Sequence, residues 1–388
     1  MHIADVSAFY TPHGGGVKTY ILQKLERGPR LGHEITIIAP GDEDAVVEHG
    51  PAARVIYLRA PRFPVDRKYW YFDDEAAVHA ALNSVGPDFV EASSPWRSAG
   101  MVARWRGTVP RALVMHADPL SAYAYRWFEP VPRAVIDRGF ELFWQHLRGL
   151  GAKFDSVVCA NLELRDRLRD GGVRNTVLEP MGVEGGLFSP ALRDPALRTR
   201  LLEMCELPPE AHLLVGVGRL AVEKRWPMVV DAVSHAGQHR KLGLVILGRG
   251  SQGPRILKAI AGNPHIRLLE PVHDRHVFAT LLASADALVH GCEAETYCLA
   301  AAEARASGSP VIAPDRGGAA DHTVAGSGVT YRAGSARAAA LAINGLFAQN
   351  LRRPPNVART MDDHFEALFG HYAALIRRRA QNLIQIAA

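Results

Sequence analysis

Short apolar runs, separated by longer stretches with helical periodicity, recur along the whole chain. Runs that read as buried strands fall at residues 1–8, 33–38, 54–58, 88–92, 112–116, 156–160 and 176–179, and again at 212–217, 244–247, 266–270, 285–291 and 310–314. The segments between them are long enough for crossover helices, which predicts an α/β protein of doubly wound parallel sheets. Residues 133–150 are amphipathic and predict a helical region. Phe365, Leu368, Phe369, Tyr372, Leu375 and Ile376 predict a last helix running into Arg377, Arg378 and Arg379.

With 388 residues the chain exceeds one typical domain, so two domains of roughly 150–200 residues are expected. The composition, 48% hydrophobic and 22% charged, is that of an ordinary globular protein. A formal charge of +5 suits an anionic ligand or an anionic membrane surface and argues little for nucleic acid, which is not an expected partner. The four cysteines, Cys159, Cys205, Cys292 and Cys298, show neither CxxC nor zinc spacing, so reduced, buried thiols and no metal are expected. Neither a secretory leader nor an apolar run of 18 residues is visible, and the expected location is cytoplasmic.

The richest stretch lies between the strands at 285–291 and 310–314, where Glu295 and Glu303 stand among small residues. Glu295 falls in the loop leaving the first of these strands. Glu303 falls on the crossover helix, about two turns further along if that helix starts near Leu299. Loops at the carboxyl ends of parallel strands are where open α/β sheets bind ligands. An ionised carboxylate accepts two O–H donors at once, so the pair suits the vicinal hydroxyls of a sugar or a ribose. Backbone N–H groups of Thr296, Tyr297, Cys298 and Leu299 at the helix start suit a phosphate. Solvated surface acids are the competing reading.

Other candidates are weaker taken singly. Gly14, Gly15 and Gly16 lie between the first strand and a helical pattern, where backbone can approach a phosphate or sugar closely. His116 ends a strand at the carboxyl edge of its sheet. Gly216, Gly218 and Ala221 form a dinucleotide fingerprint after a strand, but the next strand ends in Gly248-Arg249-Gly250 with no acid for a ribose. Arg219 and Lys224 leave the same turn, where two converging cations would neutralise a departing diphosphate. The segment 61–72 mixes Arg62, Arg67 and Lys68 with Phe63, Tyr69, Trp70, Tyr71 and Phe72, which suits an acceptor, a membrane surface or a packed loop.

Several elements in order, Gly15-Gly16, Gly218-Arg219-Leu220 with Lys224, Gly248-x-Gly250, Glu295 with Glu303, and Gly308-Ser309-Pro310-Val311 with Gly317-Gly318, resemble the retaining glycosyltransferases of family 4. The chain departs from them in having Thr296-Tyr297-Cys298 where Gly-Phe-Gly is usual, and Met181 where the linker usually has Asn. The resemblance implies a GT-B fold of two Rossmann-like domains with an inter-domain cleft. It places an acceptor-side domain at 1–184, a donor-binding domain at 185–364 and a returning C-terminal helix at 365–388.

It also implies a retaining, metal-independent hexosyltransferase using UDP-hexose or GDP-mannose as substrate, without a cofactor. Its catalytic residues would be His116, Arg219, Lys224 and Glu295. Donor contacts would come from Gly15, Gly16, Gly218, Gly248, Val272, Thr296, Tyr297, Cys298, Leu299 and Glu303. Retention in this family is attributed to front-face attack, in which the leaving diphosphate takes the acceptor's proton. The expected acceptor is a lipid, a lipid-linked glycan or another hydroxyl compound, reached by peripheral contact with the cytoplasmic membrane. Two other readings stand beside it: an NAD(P)-dependent oxidoreductase resting on Gly216, Gly218 and Ala221, and a catalytically silent sugar-nucleotide-binding protein.

Overall fold

A computed structural model describes residues 1–388 apart from 12–14, 65, 66, 68, 325, 350–357 and 388. Residue 14 of the glycine turn and residues 65, 66 and 68 of the aromatic-basic segment therefore lie outside the described residues. The chain divides into two compact units, one of Met1–Pro119, Trp127–Pro180 and Met361–Ala388, the other of Leu120–Arg126 and Met181–Thr360. Among the described residues no helix is long and apolar enough to cross a membrane.

The first unit is built on eight strands: β1 (His2–Ser7), β2 (Glu34–Gly41), β3 (Ala45–Gly50), β4 (Ala53–Arg59), β5 (Phe89–Ser93), β6 (Arg111–Val114), β7 (Ser156–Cys159) and β8 (Thr176–Leu178). Their order in the sheet is β3-β4-β2-β1-β5-β6-β7-β8. All neighbours are parallel except β3 and β4, which form an antiparallel hairpin at the edge. The apolar runs had suggested parallel strands alone, and β3 escaped because an edge strand needs no buried face. Val46 and Val47 are 60% and 43% exposed. The segment 133–150 is two helices, Arg133–Gly139 and Glu141–Gly151, separated at Phe140.

The interior of this unit carries charge. Lys24, on the helix Gly16–Arg30, reaches Asp5 at 2.9 Å and Glu91 at 2.7 Å, all three fully buried. Ser93 donates to Asp5 at 2.9 Å, and the Tyr372 hydroxyl donates to Glu91 at 2.7 Å. Two carboxylates share one ammonium, and desolvation pushes Glu91 up to about 7 although Lys24 pulls the other way. Tyr372 belongs to the last helix, Met361–Ala387, and its ring stacks on Phe89 at 4.0 Å, which ties that helix to β5.

The second unit is a six-stranded, all-parallel sheet of β9 (His212–Val217), β10 (Leu242–Leu247), β11 (Ile266–Leu269), β12 (Ala287–Val289), β13 (Val311–Pro314) and β14 (Gly328–Tyr331), ordered β11-β10-β9-β12-β13-β14. β9 and β12 are neighbours although β10 and β11 lie between them in sequence. The order reverses there, and such a switch point is where ligands bind at the carboxyl ends of strands. The loops that follow β9 and β12 carry Lys224 and Glu295. One face is packed by Trp226, Val229, Val230 and Val233 of the helix Trp226–Gly237 against Leu244 and Ile246.

Candidate functional site

The turn after β9 owes its glycines to packing. A side chain at Gly216 would strike the Trp226 ring at 2.6 Å, and one at Gly248 would strike the Gly218 carbonyl oxygen at 2.1 Å. The Gly216-x-Gly218 and Gly248-x-Gly250 turns lie against each other, with Leu220 N–H donating to the Arg249 carbonyl at 3.0 Å. Trp226 Nε1 donates to the Arg219 carbonyl at 2.9 Å and fixes the same turn. Close backbone approach and a buried indole therefore account for the residues that resembled a dinucleotide fingerprint.

The two cations of this turn go to different acids. Arg219 is 65% exposed in its side chain and donates to Glu223, one helical turn on, at 2.9 Å. Lys224 is largely buried and donates to Glu295 across 71 residues of sequence. In this structure each of the two cations is paired with an acid, Arg219 with Glu223 and Lys224 with Glu295. His290, at the end of β12, brings its Nε2 within 3.3 Å of Glu295 Oε1, and the Cys298 thiol lies 3.7 Å from the same nitrogen. Burial alone would raise the Glu295 carboxyl, but Lys224 and His290 overcome it and hold the acid well below the usual carboxylate range. Lys224 is held charged, its pKa raised by Glu295 against the pull of desolvation. Burial pushes the Cys292 thiol up to about 12 and Cys298 higher than an ordinary thiol, so neither is an active nucleophile.

Residues 293–298 are held in place from behind. Gly317 and Gly318 press on them so closely that a side chain at Gly318 would meet the Thr296 carbonyl at 2.7 Å, and Gly318 N–H donates to the Glu295 carbonyl at 2.7 Å. Arg225 grips Glu293 through Nε at 2.9 and 3.0 Å. Cys298 sits in the left-handed region, φ 68°, where Gly is usual, and the helix Leu299–Ala306 starts directly after it. Thr296 is half-buried and Tyr297 buried, with the Tyr297 carbonyl 2.8 Å from His322 Nε2.

Glu303 is on that helix about two turns of chain beyond Glu295, as expected from a helix that starts at Leu299. It is buried and takes a 2.7 Å hydrogen bond from Arg275 Nη2. Desolvation raises its pKa, Arg275 opposes that, and Glu184 adds to it. Val272 lies half-buried in the loop between β11 and the helix Arg275–Ser284.

The remaining candidates belong to the first unit. Gly15 and Gly16 are exposed at the start of the helix Gly16–Arg30, which has no side-chain cap and no acid in its first turn. His116 lies two residues past β6, with its ring 4.6 Å from that of Tyr20. Desolvation lowers it to about 4, with Lys24 adding to the shift and Asp5 opposing it, so its imidazole is neutral at pH 7. The Tyr20 hydroxyl in turn lies 3.2 Å from His364 Nε2, and His364 Nδ1 lies 3.0 Å from the Pro180 carbonyl, all within the first unit.

Sequence reasoning missed His290, Arg275 and the Arg225–Glu293 pair. A strand-end histidine five residues before Glu295 was a signal for the first, whereas the other two acquire meaning only through folding. Ligand atoms of His290, Cys292 and Glu295 lie within 4.8 Å of one another, a donor set for a thiophilic metal. Lys224 shares Glu295 with this set and supplies a positive charge at the same place.

Two family models match the chain: "Glycosyl transferase 4-like domain" over residues 15–184 and "Glycosyl transferases group 1" over residues 211–349. Among its relatives, the GDP-mannose-dependent alpha-(1-6)-phosphatidylinositol dimannoside mannosyltransferase of Mycobacterium tuberculosis is 31% identical over 319 residues, covering 80% of this chain and 79% of the relative. A GDP-mannose-dependent alpha-mannosyltransferase of Mycolicibacterium smegmatis is 28% identical over 394 residues, 98% of this chain and 99% of the relative. Among solved structures, sucrose-phosphate synthase from Thermosynechococcus elongatus superposes with a TM-score of 0.72 at 21% identity, covering 100% of this chain and 99% of that one. The HepE protein of Anabaena in complex with UDP gives a TM-score of 0.64 at 15% identity, over 99% and 100%.

Proposed function

The chain belongs to family 4 of the group 1 glycosyltransferases, with their GT-B fold, and from that membership we propose that it transfers mannose from GDP-mannose, with retention and without a metal, to a lipid-linked hydroxyl acceptor. That it is a nucleotide-sugar-dependent glycosyltransferase follows from the family itself; the donor, the acceptor and the residue roles are the proposal. The observation that carries it is the buried Lys224–Glu295 pair at the switch point of the second unit. Relatives named for GDP-mannose support the choice of donor, and one named for phosphatidylinositol dimannoside supports a lipid acceptor.

In this reading the bond from the anomeric carbon to the β-phosphate oxygen breaks as the acceptor oxygen approaches the same face. The acceptor's proton passes to the departing diphosphate. Negative charge grows on that diphosphate, and Lys224, with its ammonium already fixed, stabilises it more in the transition state than in the ground state. Arg219, exposed on a long stem, turns from Glu223 to the same phosphates. Glu295 orients Lys224 and accepts from a sugar hydroxyl, while Glu303 accepts from the ribose. Neutral His116 offers a hydrogen bond to the transferred sugar. Gly15 and Gly16 offer backbone N–H groups to the donor, Gly218 and Gly248 let it approach the strand ends, and Val272 borders the base. The N–H groups of Thr296, Tyr297, Cys298 and Leu299 face the phosphates.

Membrane contact completes the proposal, with a surface other than the aromatic-basic segment singled out in the sequence. Trp70 and Phe72 of that segment are buried, Arg62 stacks 3.8 Å over the Trp70 ring, and Trp70 Nε1 donates to Asp42 at 2.8 Å. Those aromatic side chains are packed, whereas Phe63 and Arg67 are exposed. Trp127, Phe128, Val131, Val135 and Leu142 are instead exposed in the following helical region. Incubation with a panel of nucleotide sugars and lipid extracts tests the whole reading. Mannosylated lipid of retained anomeric configuration, formed from GDP-mannose in the presence of chelator, is the expected product. Transfer from UDP-hexoses alone would overturn the donor assignment, and donor binding without transfer or slow hydrolysis would favour a silent binder.

A further inference from the structure

Glu303 presents a conflict between its burial and the work assigned to it. A carboxyl group that receives two ribose hydroxyls has to be ionised, because the protonated form becomes a donor and loses acceptor sites. Burial favours the protonated form. The cation facing it is Arg275, whose Nη2 lies 2.7 Å from Glu303 Oε1.

Several features fix that guanidinium. Arg275 is the first residue of the helix Arg275–Ser284, whose start is capped by Asp274 accepting from His276 and Val277 N–H at 2.8 and 3.0 Å. Its guanidinium carbon lies 5.1 Å from the ring centre of Phe188 and 5.5 Å from that of Phe278. Glu184 lies 3.7 Å from its Nε and pulls it from the other side. Arg275 reaches a single oxygen of Glu303, which leaves Oε2 for hydroxyl donors. The other groups that act on Glu303 are Glu184, which disfavours its charge, and Tyr297, which it disfavours in turn.

We propose that Arg275 is a positioning residue for nucleotide recognition, keeping Glu303 ionised and turned so that it accepts the ribose 2′- and 3′-hydroxyls. The proposal rests on the assignment of Glu303 to the ribose. Without Arg275 the buried carboxyl keeps its proton to higher pH, and ribose recognition is lost as pH falls and recovered as pH rises.

The test is titration of the intact chain with GDP and UDP and with their 2′,3′-dideoxy counterparts, from about pH 6 to about pH 9. The unchanged protein is expected to prefer the ribose form by about tenfold throughout. Glu303→Gln should lose that preference at every pH. Arg275→Gln should lose it at the acid end and regain it toward the alkaline end, and Arg275→Lys should fall between. A merely structural Arg275 would change affinity for both forms alike. An Arg275→Gln preference that follows the unchanged protein at every pH overturns the inference alone. Undiminished preference in Glu303→Gln overturns the ribose assignment and the inference with it. If Arg275→Gln does not fold, Arg275→Lys decides: an upward shift of the midpoint supports the inference and an unchanged profile overturns it.

Discussion

Lys224 donates to Glu295, and His290 flanks the same carboxylate at 3.3 Å, so a cation and an acid from two different loops form one unit at the ends of β9 and β12. If Lys224 stabilises charge that grows as the glycosidic bond breaks, Lys224→Ala lowers kcat about a hundredfold, on the order of 3 kcal/mol, and weakens donor binding much less. Steady-state kinetics beside direct donor titration checks this. A loss confined to KM would show that Lys224 binds the ground state and the transition state equally.

In the proposed reading Glu295 serves the transferred sugar, whereas Glu303 serves the ribose. Glu295→Gln is therefore expected to leave GDP affinity within about twofold while lowering turnover by tenfold or more. Calorimetric titration with free GDP separates the two effects. Loss of GDP binding in this variant would move Glu295 from the sugar to the nucleotide.

His322 is buried, its Nε2 2.8 Å from the Tyr297 carbonyl, and burial lowers its pKa to about 4. In the unfolded chain an ordinary histidine titrates near 6.5. The folded state therefore stays neutral while the unfolded state takes up a proton, and stability present above pH 6.5 is lost as pH falls toward about 4. His116 adds a second loss in the same window. Between pH 7 and pH 5 His322 accounts for a loss of about 2 kcal/mol, so thermal melts at the two pH values should differ by several degrees. In His322→Gln that difference shrinks.

The charged core of the first unit gives a prediction independent of chemistry. Lys24→Met leaves Asp5 and Glu91 buried without their ammonium, a loss of about 3–5 kcal/mol. Denaturant unfolding measures it. Raising the acidity should ease the defect, because protonated carboxyls need no counter-charge.

What could be read from the sequence divides along physical lines. β9 and β10 were visible because continuous apolar runs such as Leu242–Leu247 have no other use than a strand buried on both faces. β3 was invisible because it is an exposed edge, and β14 because Gly328–Tyr331 has only Tyr331 well buried. Glu295, Glu303 and Lys224 could be singled out by residue type and spacing. Their partners could not: nothing in the chain says that Lys224 reaches over 71 residues to Glu295, or that Arg275 turns to Glu303. The glycines of 216–218 misled in the opposite direction, since a Trp226 ring laid on Gly216 imitates a nucleotide motif.

A lipid acceptor makes a further demand on the surface. Trp127 and Leu142 are 65% and 81% exposed, with Phe128, Val131 and Val135 between them in sequence and Arg138 and Arg148 in the same helices. Aromatic side chains favour the headgroup region, and each nearby cation adds about 1 kcal/mol on an anionic surface. The Arg contribution is modest, because Arg148 is paired with Glu141, so apolar insertion should dominate. In co-sedimentation with anionic vesicles, Trp127→Ser with Leu142→Ser should reduce binding severalfold, whereas Arg67→Glu in the segment 61–72 should leave it unchanged. Salt should weaken binding only in part, since insertion is not screened. If the protein stays in the supernatant at low salt, the acceptor is a water-soluble hydroxyl compound and this apolar surface has another partner.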